Sequence, residues 1–154
     1  MLSINDKIIQ PEKSSCFIIS LHFKMYQKTN RLYYEWVAKW SNNVPCGDIF
    51  IMDRVFFPCI VRDSHWTCAV TFMNEKWFGT MNNKEGVQGR GISNNLIKYI
   101  KFEWKSRKRI GYFPGLSVDD VNDVTQQGNG CNCGVFTWMF TLLLSLDSPL
   151  YSDQ

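Results

Sequence analysis

The sequence predicts an α+β fold: a central mixed or antiparallel β-sheet flanked by helices, with Cys133 at the N-terminus of a buried helix. Three observations predict it. After His65, the apolar Trp66, Cys68, Val70 and Phe72 alternate with Thr67 and Thr71, the pattern of a half-buried strand. Leu96, Ile97, Ile100 and Trp104 recur at helical spacing within 94–109, the pattern of an amphipathic helix. Val135 to Leu146 is an almost unbroken apolar run without Pro or Gly, long enough for three turns of a buried helix.

The elements follow in order. Residues 1–14 are polar and unpatterned, and 15–154 read as one domain. The dense apolar run from Cys16 to Tyr26 suits a helix capped by Ser14 or Ser15. His22, inside that run, reads as a core or boundary histidine. Leu32, Tyr33, Trp36, Val37 and Trp40 predict an amphipathic helix over 31–41, ended by Asn42-Asn43-Val44-Pro45. Residues 48–53 and 55–60 look extended, and 61–64 look like a turn. The strand over 65–72 and a second over 77–81, joined through Asn74-Glu75-Lys76, predict a hairpin. Its register sets His65 beside Asn82 to within a residue or two. Gly86, Gly89 and Gly91 make 83–92 a loop that lacks the residues of a phosphate cradle, and 110–125 also reads as loop.

Composition narrows the function classes. A hydrophobic fraction of 45% with 20% charged residues fits a globular protein with a sizeable core. The net charge of +3 is too small to argue for nucleic acid. The basic residues of 98–109 read as a solvated face. The run 135–146 is shorter than a membrane span, and the N-terminus lacks the apolar core of a signal peptide, so nucleus or cytoplasm is the expected location. The six cysteines are expected to be reduced there. Cys131-x-Cys133 has neither zinc-ligand spacing nor a second pair, so no metal and no cofactor are expected.

The stretch Gln127-Gly128-Asn129-Gly130-Cys131-Asn132-Cys133-Gly134-Val135-Phe136 is where chemistry concentrates. A cysteine entering a helix faces unpaired N–H groups, whose partial positive charge favours a thiolate. A nucleophilic cysteine also needs a base, a group that orients the base, and an oxyanion donor. His65, Asn82 and a polar residue upstream of Cys133 are the candidates.

This arrangement resembles the SUMO-specific (sentrin/Ulp-type) cysteine proteases, which share the adenovirus-protease-like fold. His65-Trp66 before an alternating strand is similar to the family's His-Trp motif. The stretch from Gln127 to Phe136 is similar to its Gln-x-Asn-Gly-x-Asp-Cys-Gly-Val-Phe motif, with the same spacing. The resemblance covers about residues 15–154 and implies a role for each matched residue. Cys133 is the nucleophile, His65 the base, and Gln127 the oxyanion donor. Trp66 is the lid over a channel that passes a side-chain-free Gly-Gly tail. The implied activity is cleavage after the C-terminal Gly-Gly of SUMO, in deconjugation from lysines or precursor maturation. The implied partner is SUMO or another ubiquitin-like protein, and a monomer is expected.

The sequence departs from the family pattern in three places. Asn82 stands where the family has Asp, which keeps a hydrogen-bond acceptor and removes a charge, so weakened activity is expected. Asn132 replaces the Asp before the nucleophile. The chain also looks truncated at both ends, without the family's second substrate-covering Trp and C-terminal helix. The alternatives are a protease for another modifier such as NEDD8, and a decayed member that only binds a ubiquitin-like protein.

Overall fold

The computed structural model describes residues 16–18, 38–61, 64–81, 90–107, 109–111, 113–121, 124–126, 128, 130–148 and 150. Within them β1 (Cys16–Ile18), β2 (Arg54–Val61), β3 (His65–Phe72), β4 (Trp77–Met81) and β5 (Ser117–Val121) form one sheet in that spatial order. The outer pairs β1/β2 and β4/β5 are parallel and the inner pairs antiparallel, so the sheet is mixed, as expected. Helix α1 is Arg90–Ser106 and helix α2 is Cys133–Ser145.

Topology explains which helix lies where. A parallel pair needs a crossover, and crossovers turn right-handed. The steps β1 to β2 and β4 to β5 run the same way across the sheet between strands of the same orientation, so both crossovers belong on one face. On that face Ile92, Leu96, Tyr99 and Ile100 of α1 share a core with Val44, Ile49, Val55, Phe57, Ala69 and Phe78. Buried Glu103 accepts a hydrogen bond from Ser41 (3.1 Å) and pairs with Arg107, tying α1 to the turn at Trp40–Asn43. The opposite face holds α2, with Phe140 and Leu144 packed against Phe56, Cys68, Val70, Phe72, Trp77 and Met81. Adjacent residues of one strand thus belong to different cores, as the period of two demands.

Several expectations change. Cys16–Ile18 is a strand, not the start of a capped helix, because it pairs in parallel with Arg54–Phe56. Residues 31–37 and His22 lie outside the described residues; Trp40–Asn43 is a short 3-10 helix. Ile49–Ile51 is also a 3-10 turn rather than extended, since the Asp48 carboxylate accepts from Phe50 N–H at 2.9 Å. Helix α1 starts at Arg90, earlier than Asn94, and buries Ile92. β5 forms inside 117–121, a stretch that reads as loop, with its carboxylates taken up by neighbours. Asp119 accepts from Trp77 Nε1 (2.5 Å) and Asp120 from Thr80 Oγ1 (2.6 Å).

Two burial expectations are also corrected. β3 is buried on both sides instead of one, and Thr67 and Thr71 survive there by donating to Met81 O (2.8 Å) and Trp77 O (3.1 Å). α2 is not buried all round. It covers Thr137, Phe140, Thr141 and Leu144 but leaves Val135 (67% exposed), Trp138 (63%), Leu142 and Leu146 facing outward. One helix on one sheet face has only one side to bury, and a sequence apolar all round does not show which.

Candidate active site

Both ends of α2 are fixed by the sheet. At the C-terminal end, Arg54 of β2 reaches across to donate to Leu144 O, pairs with Asp147, and stacks 5.0 Å over the Phe72 ring. This cation meets the helix end that carries partial negative charge. Midway, Cys68 of β3 touches Thr141 Oγ1 at 3.4 Å, and the Thr141 hydroxyl donates back to Thr137 O. The helix therefore lies along β3, and its first turn falls at the end where β3 begins.

That end carries the candidate residues. Cys133 is the first residue of α2 and only 5% exposed, and its sulfur lies 4.0 Å from the carbonyl oxygen of Ser64. Ser64 is bonded directly to His65, the first residue of β3, which is 8% exposed. Trp66 is half-buried. A Cβ placed on Gly134 would meet Trp66 Cδ1 at 3.6 Å, so the indole lies against the first turn of α2. The structure thus brings Cys133 against Ser64 and Gly134 against Trp66, the two residues that flank His65, across 69 and 68 residues of sequence. Asn82 and Gln127 lie outside the described residues. The β3/β4 ladder is described as far as the Cys68–Met81 pair, one residue short of 82.

The helix start suits an anion. Asn132 occupies the N-cap position without a side-chain cap bond, and the first turn holds no acidic residue. The first-turn N–H groups of a helix carry partial positive charge, which favours a negatively charged group there. Cys131, two residues before, is exposed. Cys59 and Cys68 live in a different environment. Burial pushes the Cys68 thiol up from its ordinary 9.0 to about 11, against the Thr141 contact, which pulls it down. Burial, and secondarily Cys68, pushes the Cys59 thiol further still. Thiols so raised cannot serve as nucleophiles near neutrality.

Sequence reasoning missed Ser64, whose backbone carbonyl is the sulfur's neighbour, because a main-chain contact has no residue-type signal. It also passed over Arg54, although an arginine opening an apolar strand is such a signal. Among the described residues there is no group of three or more His, Cys, Asp or Glu able to hold a metal, and no helix long and apolar enough to cross a membrane.

Residues 14–154 match the model of the Ulp1 protease family, C-terminal catalytic domain. The chain is 28% identical over 159 residues to Ubiquitin-like-specific protease 1 of Saccharomyces cerevisiae, covering 97% of this chain and 24% of that protein. It superposes with a TM-score of 0.68 at 27% identity on the C-terminal Ulp1 protease domain in complex with Smt3, the yeast ortholog of SUMO, covering 92% of this chain and 62% of that one. It also superposes, at a TM-score of 0.64 and 29% identity, on SUMO protease Ulp1 with the catalytic cysteine oxidized to a sulfinic acid, covering 78% of this chain and 53% of that one. The chain therefore spans about a quarter of its curated relative's length and somewhat over half of the solved domains.

Proposed function

The chain belongs to the Ulp1 protease family through its C-terminal catalytic domain, and on that footing we propose that it is a thiol isopeptidase of the nucleus or cytoplasm that cleaves after the C-terminal Gly-Gly of SUMO. The observation that carries this is the Cys133 sulfur at 4.0 Å from the carbonyl of Ser64, the residue bonded to His65. It unites the two sequence motifs at one end of the sheet, on the entry turn of a helix.

The chemistry follows from the assigned roles. His65 takes the thiol proton, and the Cys133 sulfur bonds to the carbonyl carbon of the terminal glycine. The oxyanion is met by Gln127 and by N–H groups at the α2 start. The tetrahedral species collapses by breaking the C–N bond, and imidazolium gives its proton to the leaving lysine amine. Water then attacks the thioester with His65 again as base, releasing the carboxylate and restoring the thiol. Asn82 accepts from the imidazole N–H and fixes its ring, without the charge an aspartate would bring. Trp66, lying on the α2 entry turn, passes a chain that has no side chains at its last two residues.

The test is incubation with SUMO and NEDD8 probes bearing a C-terminal electrophile. A covalent adduct with the SUMO probe, kept by Cys131→Ala and lost in Cys133→Ala, supports the assignment. An adduct with NEDD8 alone reassigns the modifier. Asn82→Asp should raise the adduct rate, since it restores charge stabilisation of the imidazolium. The uncharged Asn82 and Asn132 favour one second reading, a decayed member that only binds. Binding without adduct in both the wild type and Asn82→Asp would establish it and sink the enzyme.

A further inference from the structure

The buried face of α2 carries Cys133, Thr137, Phe140, Thr141 and Leu144. Its two threonines are placed differently. The Thr141 hydroxyl donates to Thr137 O one turn back at 2.9 Å and touches Cys68 Sγ at 3.4 Å, so it is fully engaged. Thr137 is only 5% exposed, and its Oγ1 is buried with no hydrogen-bond partner among the described residues. A hydroxyl sealed from water without a partner is destabilising, and folded proteins keep few of them.

The position of this hydroxyl gives it a use. Thr137 stands four residues after Cys133, one turn along the same face, and helical side chains lean toward the N-terminus. The Thr137 side chain is therefore directed at the turn that opens with the cysteine. In its thiol form Cys133 Sγ donates to Ser64 O at 4.0 Å. Loss of that proton removes the donor and leaves an anionic sulfur facing the negative end of a carbonyl dipole. The thiolate can then only accept, and it gains most from an N–H or O–H group that nothing else holds.

We propose that the Thr137 hydroxyl is the donor that receives the Cys133 thiolate, holding the sulfur at the helix entry once its proton has passed to His65. This rests on the proposed peptidase reading. Among the described residues, the titratable groups around the sulfur are His65 at the start of β3 and Cys131 in the loop before α2. Cys68 lies farther along the helix, against Thr141, and the first turn of α2 holds no acidic residue. His65 acts on the proton, whereas the hydroxyl acts on the sulfur left behind.

The experiment measures alkylation of Cys133 by iodoacetamide across a pH series, read by mass spectrometry in a Cys131→Ala background. Thr137→Val keeps the shape and removes the hydroxyl, Thr137→Ser keeps the donor, and Thr141→Val removes the hydroxyl one turn farther on. At pH 7 Thr137→Val should react about three- to tenfold more slowly, the factor carried by one hydrogen bond. The gap should close at high pH, where the cysteine is a thiolate with or without the hydroxyl. Thr137→Ser should stay within about twofold of wild type at every pH, and Thr141→Val should follow the wild-type profile. The urea midpoint of Thr137→Val should hold or rise, because an orphaned hydroxyl leaves the interior. Turnover of a SUMO-derived substrate at pH 7 should fall by the same factor as alkylation.

A Thr137→Val profile that overlies the wild type, or a rate loss that persists undiminished at high pH, would overturn the assignment. So would a Thr137→Ser variant as slow as Thr137→Val. If Thr137→Val does not fold, Thr137→Ala against Thr137→Ser gives the same comparison on the same readouts. A wild type that turns over no SUMO substrate would sink the peptidase reading instead. The Thr137 assignment would then stand or fall on the alkylation profiles alone.

Discussion

At the scale of single residues, the described cysteines show how environment sorts identical side chains. Cys133 enters a helix beside a histidine-bearing strand, whereas Cys59 and Cys68 are locked in the two cores. The Cys68 thiol gives a test by linkage. Its folded value of about 11 lies above the ordinary 9.0, so below pH 9 it is neutral in both states and its contribution is intact. As pH rises from 9 toward 11 the unfolded chain loses its proton first, and stability falls. Two units correspond to roughly 2–3 kcal/mol, lost by pH 11. Urea midpoints measured from pH 8 to 11 should therefore fall less steeply in Cys68→Ala than in the wild type. Parallel curves would mean that the thiol is not sealed from water.

At the scale of elements, much was legible in the sequence, and the failures share a cause. The β3–β4 hairpin was readable because both strands carry their own period and the turn its own polar residues. The elements that carry the candidate residues were readable for a similar reason: His65-Trp66 opens a periodic strand, and Cys133 separates a glycine-rich loop from an apolar helix. β5 was not readable, because Ser117-Val118-Asp119-Asp120-Val121 is a strand only by virtue of Trp77 and Thr80 on the neighbouring one. Nor was the orientation of α2, whose 133–146 sequence contains no charged residue to mark the outer side. The observed orientation predicts opposite outcomes for two positions two residues apart. Leu142→Lys places a charge on the outer side and should change stability by no more than about 0.5 kcal/mol. Phe140→Ala empties a fully buried site and should cost about 3–5 kcal/mol. Chemical denaturation of the two variants distinguishes them, and a large loss for Leu142→Lys would show that this side of the helix is covered in solution.

At the scale of the whole molecule, the sheet separates two cores with different duties. One joins α1 and the 3-10 turns to the sheet; the other holds α2, whose first residue is Cys133. Phe56 and Phe57, adjacent in β2 and both fully buried, lie one in each core. Replacing either by Ala removes the same atoms and should cost about 3–5 kcal/mol. The effects on chemistry should differ, since only the loss at Phe56 loosens the bed of the helix whose first residue must stay beside Ser64 and His65. Assayed well below both melting temperatures, Phe56→Ala should form adduct about tenfold more slowly than wild type, the order expected when a reacting group is displaced by a fraction of an ångström. Phe57→Ala, equally destabilised, should react within about twofold of wild type, because sites without shared contacts behave independently. Equal slowing in both variants would mean that the sheet transmits strain from one face to the other, and that the placement of Cys133 depends on the packing of the whole molecule and not on α2 alone.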